Sequence, residues 1–164
     1  MKAKLVVEGK EFDIEILDPK LQELVAPKKT GYEIVKDSEL WAVTTYGEVS
    51  KLLTLIEDRD TRCYKIANYY SSKEVAENNA RADTLMRQLR RFAVEHRVNK
   101  INWEDYEQEK YYIWFDCDDL CIGRDVECPE FGSIIFDSEE SCKLAIETFH
   151  DELIWYFTEY TDSL

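Results

Sequence analysis

Carboxylates and thiols are concentrated between residues 116 and 128, where their spacing could hold a metal ion. Asp116, Asp118 and Glu127 stand at positions one, three and twelve of a calcium-binding loop. That loop requires an oxygen ligand where this chain has Leu120, and a glycine where it has Cys121. The flanking residues alternate between apolar and polar, which is typical of strands rather than helices. We therefore predict no calcium site here.

The cysteines suggest a second metal chemistry, because Cys117, Cys121 and Cys128 lie close together and Cys63 could complete a zinc site. Their C-x3-C-x6-C spacing is not the paired C-x2-C pattern of zinc sites, and single thiols in strands usually behave as small buried apolar groups. Cys142 makes the number of cysteines odd. We therefore predict no metal site and expect free thiols, as in a reducing compartment.

Catalytic chemistry has few candidate residues in this chain. His96 and His150 are the two histidines, and nothing in their spacing requires either to meet a thiol in a Cys/His dyad. The five glycines lie far apart, so the sequence holds no glycine-rich phosphate loop. Carboxylates are so abundant that their number is no evidence for acid/base or two-metal catalysis. We predict no enzyme and no cofactor, and a metal-dependent enzyme stands third among the alternatives.

The charge of the chain is distributed unevenly. Its formal net charge is -14, yet residues 1–101 hold 18 basic against 17 acidic side chains. Residues 102–164, called the acidic segment below, hold 3 basic against 18 acidic side chains. Such a surface repels phosphate backbones and speeds encounter with a basic partner. We therefore predict a basic protein partner and no direct nucleic-acid binding by the acidic segment.

One basic group runs against this charge. Arg87, Arg90 and Arg91 have the i, i+3, i+4 spacing that places side chains on one face of a helix. They could contact a phosphate backbone, as arginine does well. We favour the alternative that they pair with the acidic segment, within the fold or across a homodimer.

The first residues predict neither export nor membrane insertion. The apolar run of Leu5, Val6 and Val7 ends at Glu8, whereas a signal peptide needs ~7–15 apolar residues. Nowhere does the chain have the ~18 consecutive apolar residues of a membrane-spanning helix. We expect a cytoplasmic protein. Residues 1–26 predict a β-hairpin and a short helix beginning at Pro19, residues 27–31 a connector, and residues 32–164 the main domain.

Within the main domain the order hairpin, strand, helix is predicted twice. The two strand-to-helix junctions superpose at an offset of 66 residues, with Ser71 or Asp137 as helix cap and Glu74 or Glu140 three residues later, as in a capping box. This likeness could also arise because such junctions favour these residue types. We predict an α+β fold of two hairpin-strand-helix units, with an antiparallel sheet packed on two long amphipathic helices.

The two helices are predicted over residues 72–96 and 138–160, from apolar residues at helical spacing. In the second, Ile154 and Trp155 lie off the apolar stripe. Such a pair either packs against a second surface or offers an exposed anchor to a partner.

Two long runs, NYYSSKEVAENNARADTLMRQLRRFAVEH and IIFDSEESCKLAIETFHDELIWYFTEYTDSL, resemble small acidic proteins encoded by phages and prophages of Gram-positive bacteria. The similarity extends to the VVEGKEFDIEI hairpin and the PKKTGYE connector, and it is weakest between Asp116 and Pro129. The resemblance implies an accessory protein acting in the bacterial cytoplasm. Small acidic phage proteins include inhibitors of host defence, among them anti-CRISPR proteins.

Charge and resemblance together predict a non-catalytic inhibitor that mimics nucleic acid and occupies a basic surface of a host nucleic-acid-handling protein, such as a CRISPR effector. The alternative is a structural or accessory phage protein that self-associates. The candidate partner-binding residues are Asp116, Asp118, Asp119, Asp125 and Glu127 on the second hairpin, with Asp151, Glu152, Trp155 and Glu159 on the last helix.

Overall fold

The computed structural model of the chain is a mixed α+β structure with small antiparallel sheets and two helices of defined bounds. It describes residues 2–7, 10–15, 17, 19, 30–32, 39–52, 62–63, 65–126 and 132–160. These belong to two compact units, Met1–Thr30 and Gly31–Leu164. The short helix predicted after Pro19 lies outside the described residues, apart from Pro19 itself.

The first unit contains a β-hairpin. Strands β1 (Lys2–Val7) and β2 (Lys10–Glu15) pair antiparallel, from Lys2 opposite Glu15 to Val7 opposite Lys10. The Lys4 Nζ and Glu11 Oε2 atoms are 2.6 Å apart in an exposed salt bridge. Such an exposed pair contributes ~1 kcal/mol or less.

The second unit begins with the hairpin of β3 (Leu40–Val43) and β4 (Val49–Leu52). Gly47 adopts a φ of +86° in the connecting turn, a conformation that favours glycine. Leu40, Ala42 and Leu52 are buried and form a small core with Tyr69. The Asn68 side chain bonds both the N–H and the C=O of Val43, at 2.7 and 2.8 Å, and so continues the pairing beyond the strand.

The order hairpin, bridge residue, helix occurs twice in this unit. Tyr70 exchanges two backbone hydrogen bonds with Trp41, and helix α1 (Lys73–Glu95) follows. In the same way Phe136 exchanges two backbone hydrogen bonds with Tyr111, which belongs to the hairpin of residues 110–125. Helix α2 (Glu139–Trp155) follows. The strand predicted between each hairpin and its helix is thus reduced to a single bridge residue, Tyr70 or Phe136. The N-terminal hairpin is a separate two-stranded sheet, as predicted. The two hairpins of the main domain also form separate two-stranded sheets in the described structure, rather than the single antiparallel sheet predicted for that domain.

The second hairpin consists of β5 (Lys110–Asp116) and β6 (Asp119–Asp125), and α2 continues into a short π-helix, Tyr156–Tyr160. The main core lies between this hairpin and the two helices. Its buried members include Leu85, Leu89, Phe136, Ala145 and Leu153. The backbone of α2 is kinked at Phe149, whose ring meets that of Phe92 edge-on at 5.5 Å.

Both helix caps lie one residue later than predicted. Ser72 accepts a hydrogen bond from the Val75 N–H, and Ser138 accepts one from the Ser141 N–H. Position N3 is therefore Val75 or Ser141, and Glu74 and Glu140 stand at N2, so the predicted capping boxes are wrong. Their carboxylates still lie in the first turn, where the helix dipole favours negative charge. Neither helix with described bounds is both long and apolar enough to cross a membrane.

Candidate partner-binding surface

The tip of the β5–β6 hairpin carries three exposed carboxylates. Asp116 pairs with Asp119 as the last rung of the ladder, and Cys117 and Asp118 form the turn. The Asp118 N–H donates to the Asp116 carbonyl, and Cys117 has a φ of +52°. Among the described residues, Asp116, Asp118 and Asp119 have no cationic partner within salt-bridge distance. The Asp119 Oδ1 atom accepts from the Leu120 N–H at 2.8 Å. Within the described part of the chain, the tip therefore presents three carboxylates without an ion pair.

This tip lies beside the end of the last helix. The Phe115 and Phe157 rings stack with centroids 5.7 Å apart and planes 7° from parallel. Leu120, on the other strand of the tip, is buried in the main core. Asp116 follows Phe115, and Glu159 lies two residues after Phe157. The stacking of the two phenylalanine rings therefore brings the acidic hairpin tip close to the acidic end of the last helix. Glu159 is also exposed and without an ion pair in the described part of the chain.

The predicted hairpin residues do not form one cluster. Asp125 pairs with Lys110 at the opposite end of the hairpin from the tip. Six residue steps along a strand correspond to about 20 Å. Asp125 therefore lies apart from the tip, and its role in partner binding stays a prediction. Glu127 lies outside the described residues.

The base of the hairpin holds a buried cation that the sequence analysis missed. Lys110 is 1% exposed, and its Nζ donates to the carbonyls of Asp105, Gln108 and Val126 at 2.9–3.2 Å. The Nζ also lies 5.7 Å from the centre of the Trp103 ring. All three ammonium protons thus have acceptors, which is how a buried charge is tolerated. The available sequence signal was a lysine at the start of a strand that continues with five apolar or aromatic residues.

On the last helix, the predicted contacts are partly used within the chain. Glu152 binds Arg81 through two hydrogen bonds of 2.7 and 3.0 Å. The Arg81 guanidinium also lies over the Trp155 ring, 3.9 Å from its centre. Trp155 is 7% exposed, so its interpretation as an exposed anchor is corrected, because α1 and its arginine cover the ring. Asp151 is exposed and accepts from His150 Nδ1 at 3.1 Å.

The arginine group on α1 is exposed. Arg91 pairs with Glu95 of the same helix at 3.7 Å, whereas the described residues give Arg87 and Arg90 no ion pair. An ion pair between α1 and the acidic segment is formed instead by Arg81, which binds Glu152 and lies about two to three helical turns before these arginines. Arg87, Arg90 and Arg91 do not pair with that segment inside the described fold.

The thiols within the described residues form no disulfide. Cys63, Cys117, Cys121 and Cys142 are free, and Cys128 lies outside the described residues. Among the residues described, no group of three or more His, Cys, Asp and Glu side chains has metal-binding geometry. The His96 ring stacks on Phe92 with centroids 3.8 Å apart, and its Nδ1 lies 3.0 Å from the Phe92 carbonyl. Burial, with a smaller effect of the Glu139 carboxylate, raises the pKa of the Cys142 thiol to about 12.

An apolar cavity of about 300 Å³ opens next to the acidic tip, and sequence reasoning gave no sign of it. Its floor is formed by buried core residues, Leu85, Leu89, Phe136 and Leu153. Its rim is formed by partly exposed side chains of four segments, including Met86, Tyr112, Trp114, Tyr156 and Phe157. Residues far apart in sequence form this cavity, so no local pattern could have indicated it.

Comparison with known proteins assigns no family to this arrangement. No protein-family model matches the chain, and neither the curated proteins nor the solved structures contain a significant match.

Proposed function

We propose that the chain is a non-catalytic binding protein whose hairpin tip occupies a basic surface of another protein. The contact residues are Asp116, Asp118 and Asp119 at the tip, with Glu159 at the adjoining end of the last helix and Asp151 about two turns before it. The observation that carries the proposal is the exposure of the tip carboxylates, which have no salt-bridge partner among the described residues. The proposed partner is a host nucleic-acid-handling protein, such as a CRISPR effector. The carboxylates mimic nucleic-acid phosphates and occupy its phosphate-binding surface.

Two physical features and one sequence resemblance support this proposal. Carboxylates held on a β-turn lose less backbone freedom on binding than those on a disordered tail, because the hairpin already fixes their backbone. The acidic segment as a whole carries a net charge of -15, which steers basic proteins toward it at low salt. The resemblance to phage-encoded proteins adds a bacterial host as the source of the partner.

The test begins with capture of a partner by the tagged chain from nuclease-treated host lysate, at low and moderate salt. The purified partner is then titrated against wild type and the double variant Asp118→Lys/Asp119→Lys. We expect the reversal to weaken binding at least tenfold and to reduce its salt dependence, because four units of charge change at the contact.

The matched control is Glu104→Lys/Glu107→Lys, which makes the same charge change at exposed positions near the hairpin base. Equal loss of affinity in both double variants would mean that only total charge matters, and would reject the tip as the contact. Unchanged binding by the tip variant would reject it as well.

A second candidate function is self-association through the arginine face of α1. The observation in its favour is that Arg87 and Arg90 are exposed without an ion pair in the described structure, while Arg81 is bound by Glu152. This candidate predicts an oligomer that dissociates as salt is raised and in Arg87→Glu/Arg90→Glu. Light scattering that finds a monomer at all salt concentrations would exclude it.

A further inference from the structure

We infer that the cavity beside the tip receives one large apolar side chain of the basic partner, so that the partner's contact is a basic segment with an apolar anchor. This inference rests on the proposed function and deepens it. A surface that only mimicked phosphates would need no cavity. Interfaces of high affinity instead commonly seat an aromatic or aliphatic anchor in a pocket and surround it with polar contacts.

The first support is the composition of the cavity. Its volume of about 300 Å³ lies at the lower end of the range for ligand pockets, and a single large side chain suits it better than a cofactor does. The described lining consists of Leu, Ile, Met, Phe and other aromatic residues, with Ser133 and Gly132 at the edge. Trp114 on the rim is 42% exposed, so apolar surface remains uncovered at this place. Covering it would remove apolar area from water, which favours binding.

The second support is charge complementarity at the rim. Trp114 lines the cavity and lies two residues before Asp116, while Phe157 lines it and lies two residues before Glu159. The tip carboxylates therefore border the cavity on one side. Arg90 lies one helical turn from Met86 and lines the adjoining groove with Ser133 and Ile134. The tip carboxylates and Arg90 thus lie on different segments near the cavity, so the partner carries its cations on the side of the anchor that faces the tip.

The experiment uses the full chain and three short dye-labelled peptides followed by fluorescence anisotropy. The first peptide has an arginine–glycine half, one phenylalanine and a serine–glycine half. The second replaces the phenylalanine by alanine, and the third keeps the phenylalanine but replaces arginine by serine. We expect the first peptide to bind at least tenfold more tightly than either of the others.

Two variants locate the anchor. Met86→Trp fills the cavity from its rim and is expected to make the first two peptides bind equally. Leu144→Trp, at an exposed position of α2 that lines neither the cavity nor the adjoining groove, is expected to leave their difference unchanged. Far-ultraviolet circular dichroism checks that both variants keep the fold.

The outcomes separate this inference from the function on which it rests. Equal binding of the phenylalanine and alanine peptides to wild type overturns the anchor and leaves the acidic contact standing. Equal binding of the first and third peptides overturns the basic partner, and with it the proposed function. Absence of binding by all three overturns both.

Discussion

At the scale of single residues, Asp137 joins two distant parts of the chain. Its Oδ2 accepts hydrogen bonds from the backbone N–H groups of Val98 and Asn99, at 2.8 and 2.5 Å. Its Oδ1 is buried and has no hydrogen-bond partner in the described structure. The residue thus fastens the segment after α1 to the start of α2 through charge-assisted bonds, which contribute more than neutral ones.

Replacing this carboxylate should destabilise the fold. We expect Asp137→Ala to lower the free energy of unfolding by about 2 kcal/mol, because two backbone donors lose a charged acceptor. Urea unfolding followed by circular dichroism measures the difference. Asp151→Ala removes an exposed carboxylate and should change stability by less than about 0.5 kcal/mol. A similar small change for both variants would show that the Asp137 bonds are not important for stability.

The buried thiol of Cys142 gives the second residue-scale prediction. Its pKa is raised from 9.0 to about 12 in the fold, while in the unfolded chain it returns to its ordinary value. The unfolded state then binds fewer protons above pH 9, so the thiol's contribution is complete below pH 9 and is lost as pH rises toward 12. Wild type should therefore lose up to about 1.4 kcal/mol more per pH unit than Cys142→Ala in this range.

Urea titrations of both proteins at several pH values between 8 and 11 test this slope. Parallel stability curves would contradict the assignment of the effect to Cys142. Burial also raises the pKa of Tyr70 to about 12, and this hydroxyl adds to the alkaline loss of stability in both proteins.

At the scale of elements, the second hairpin depends on a close contact between its strands. Gly123 stands opposite Tyr112, and a Cβ atom on it would lie 2.3 Å from two atoms of the tyrosine ring. The ring therefore covers the backbone of the glycine. This contact fixes the Tyr112 side chain, which also lines the apolar cavity.

We expect Gly123→Ala to destabilise the protein by about 1–3 kcal/mol, because the added methyl group must displace a packed ring. In the Tyr112→Ala background the same substitution should be nearly neutral, since the obstacle is gone. A double-mutant cycle measured by urea unfolding gives the coupling between the two positions. A cycle without coupling would show that the ring does not rest on Gly123 in solution.

The elements also show how far the sequence determines the fold. The β5–β6 hairpin is predicted from the residues on either side of the turn at Asp118, because its two strands are neighbours in sequence. Helix α1 is predicted from the spacing of its apolar residues, because that pattern is also local. The cap at Ser138 could not be distinguished from one at Asp137, because both residue types cap helices and the choice depends on Val98 and Asn99. The burial of Trp155 depends likewise on Arg81, far away in the chain. Long-range contacts of this kind leave no local pattern.

At the scale of the whole molecule, like charges oppose compactness. The chain has 35 acidic and 21 basic side chains, and the whole acidic excess lies in residues 102–164. The described salt bridges of this segment are few and largely exposed. Repulsion among its carboxylates should therefore outweigh the attraction within these pairs at low salt.

We expect the melting temperature to rise by several degrees when the salt concentration is raised from about 0.02 M to about 0.3 M, since screening weakens the repulsion. Differential scanning calorimetry measures this shift. Substituting choline chloride for sodium chloride separates screening from specific cation binding. A melting temperature that falls with salt would mean that ion pairs, rather than repulsion, dominate the electrostatics of the fold.

The turn at the hairpin tip has a practical consequence for labelling. Cys117 is the thiol classed as exposed among the four described, and it lies between two of the proposed contact carboxylates. A maleimide fluorophore should therefore react there faster than at the half-buried Cys63 and Cys121 or the buried Cys142. With Cys128 replaced by serine, the labelled chain becomes a reporter whose emission changes when a partner covers the tip.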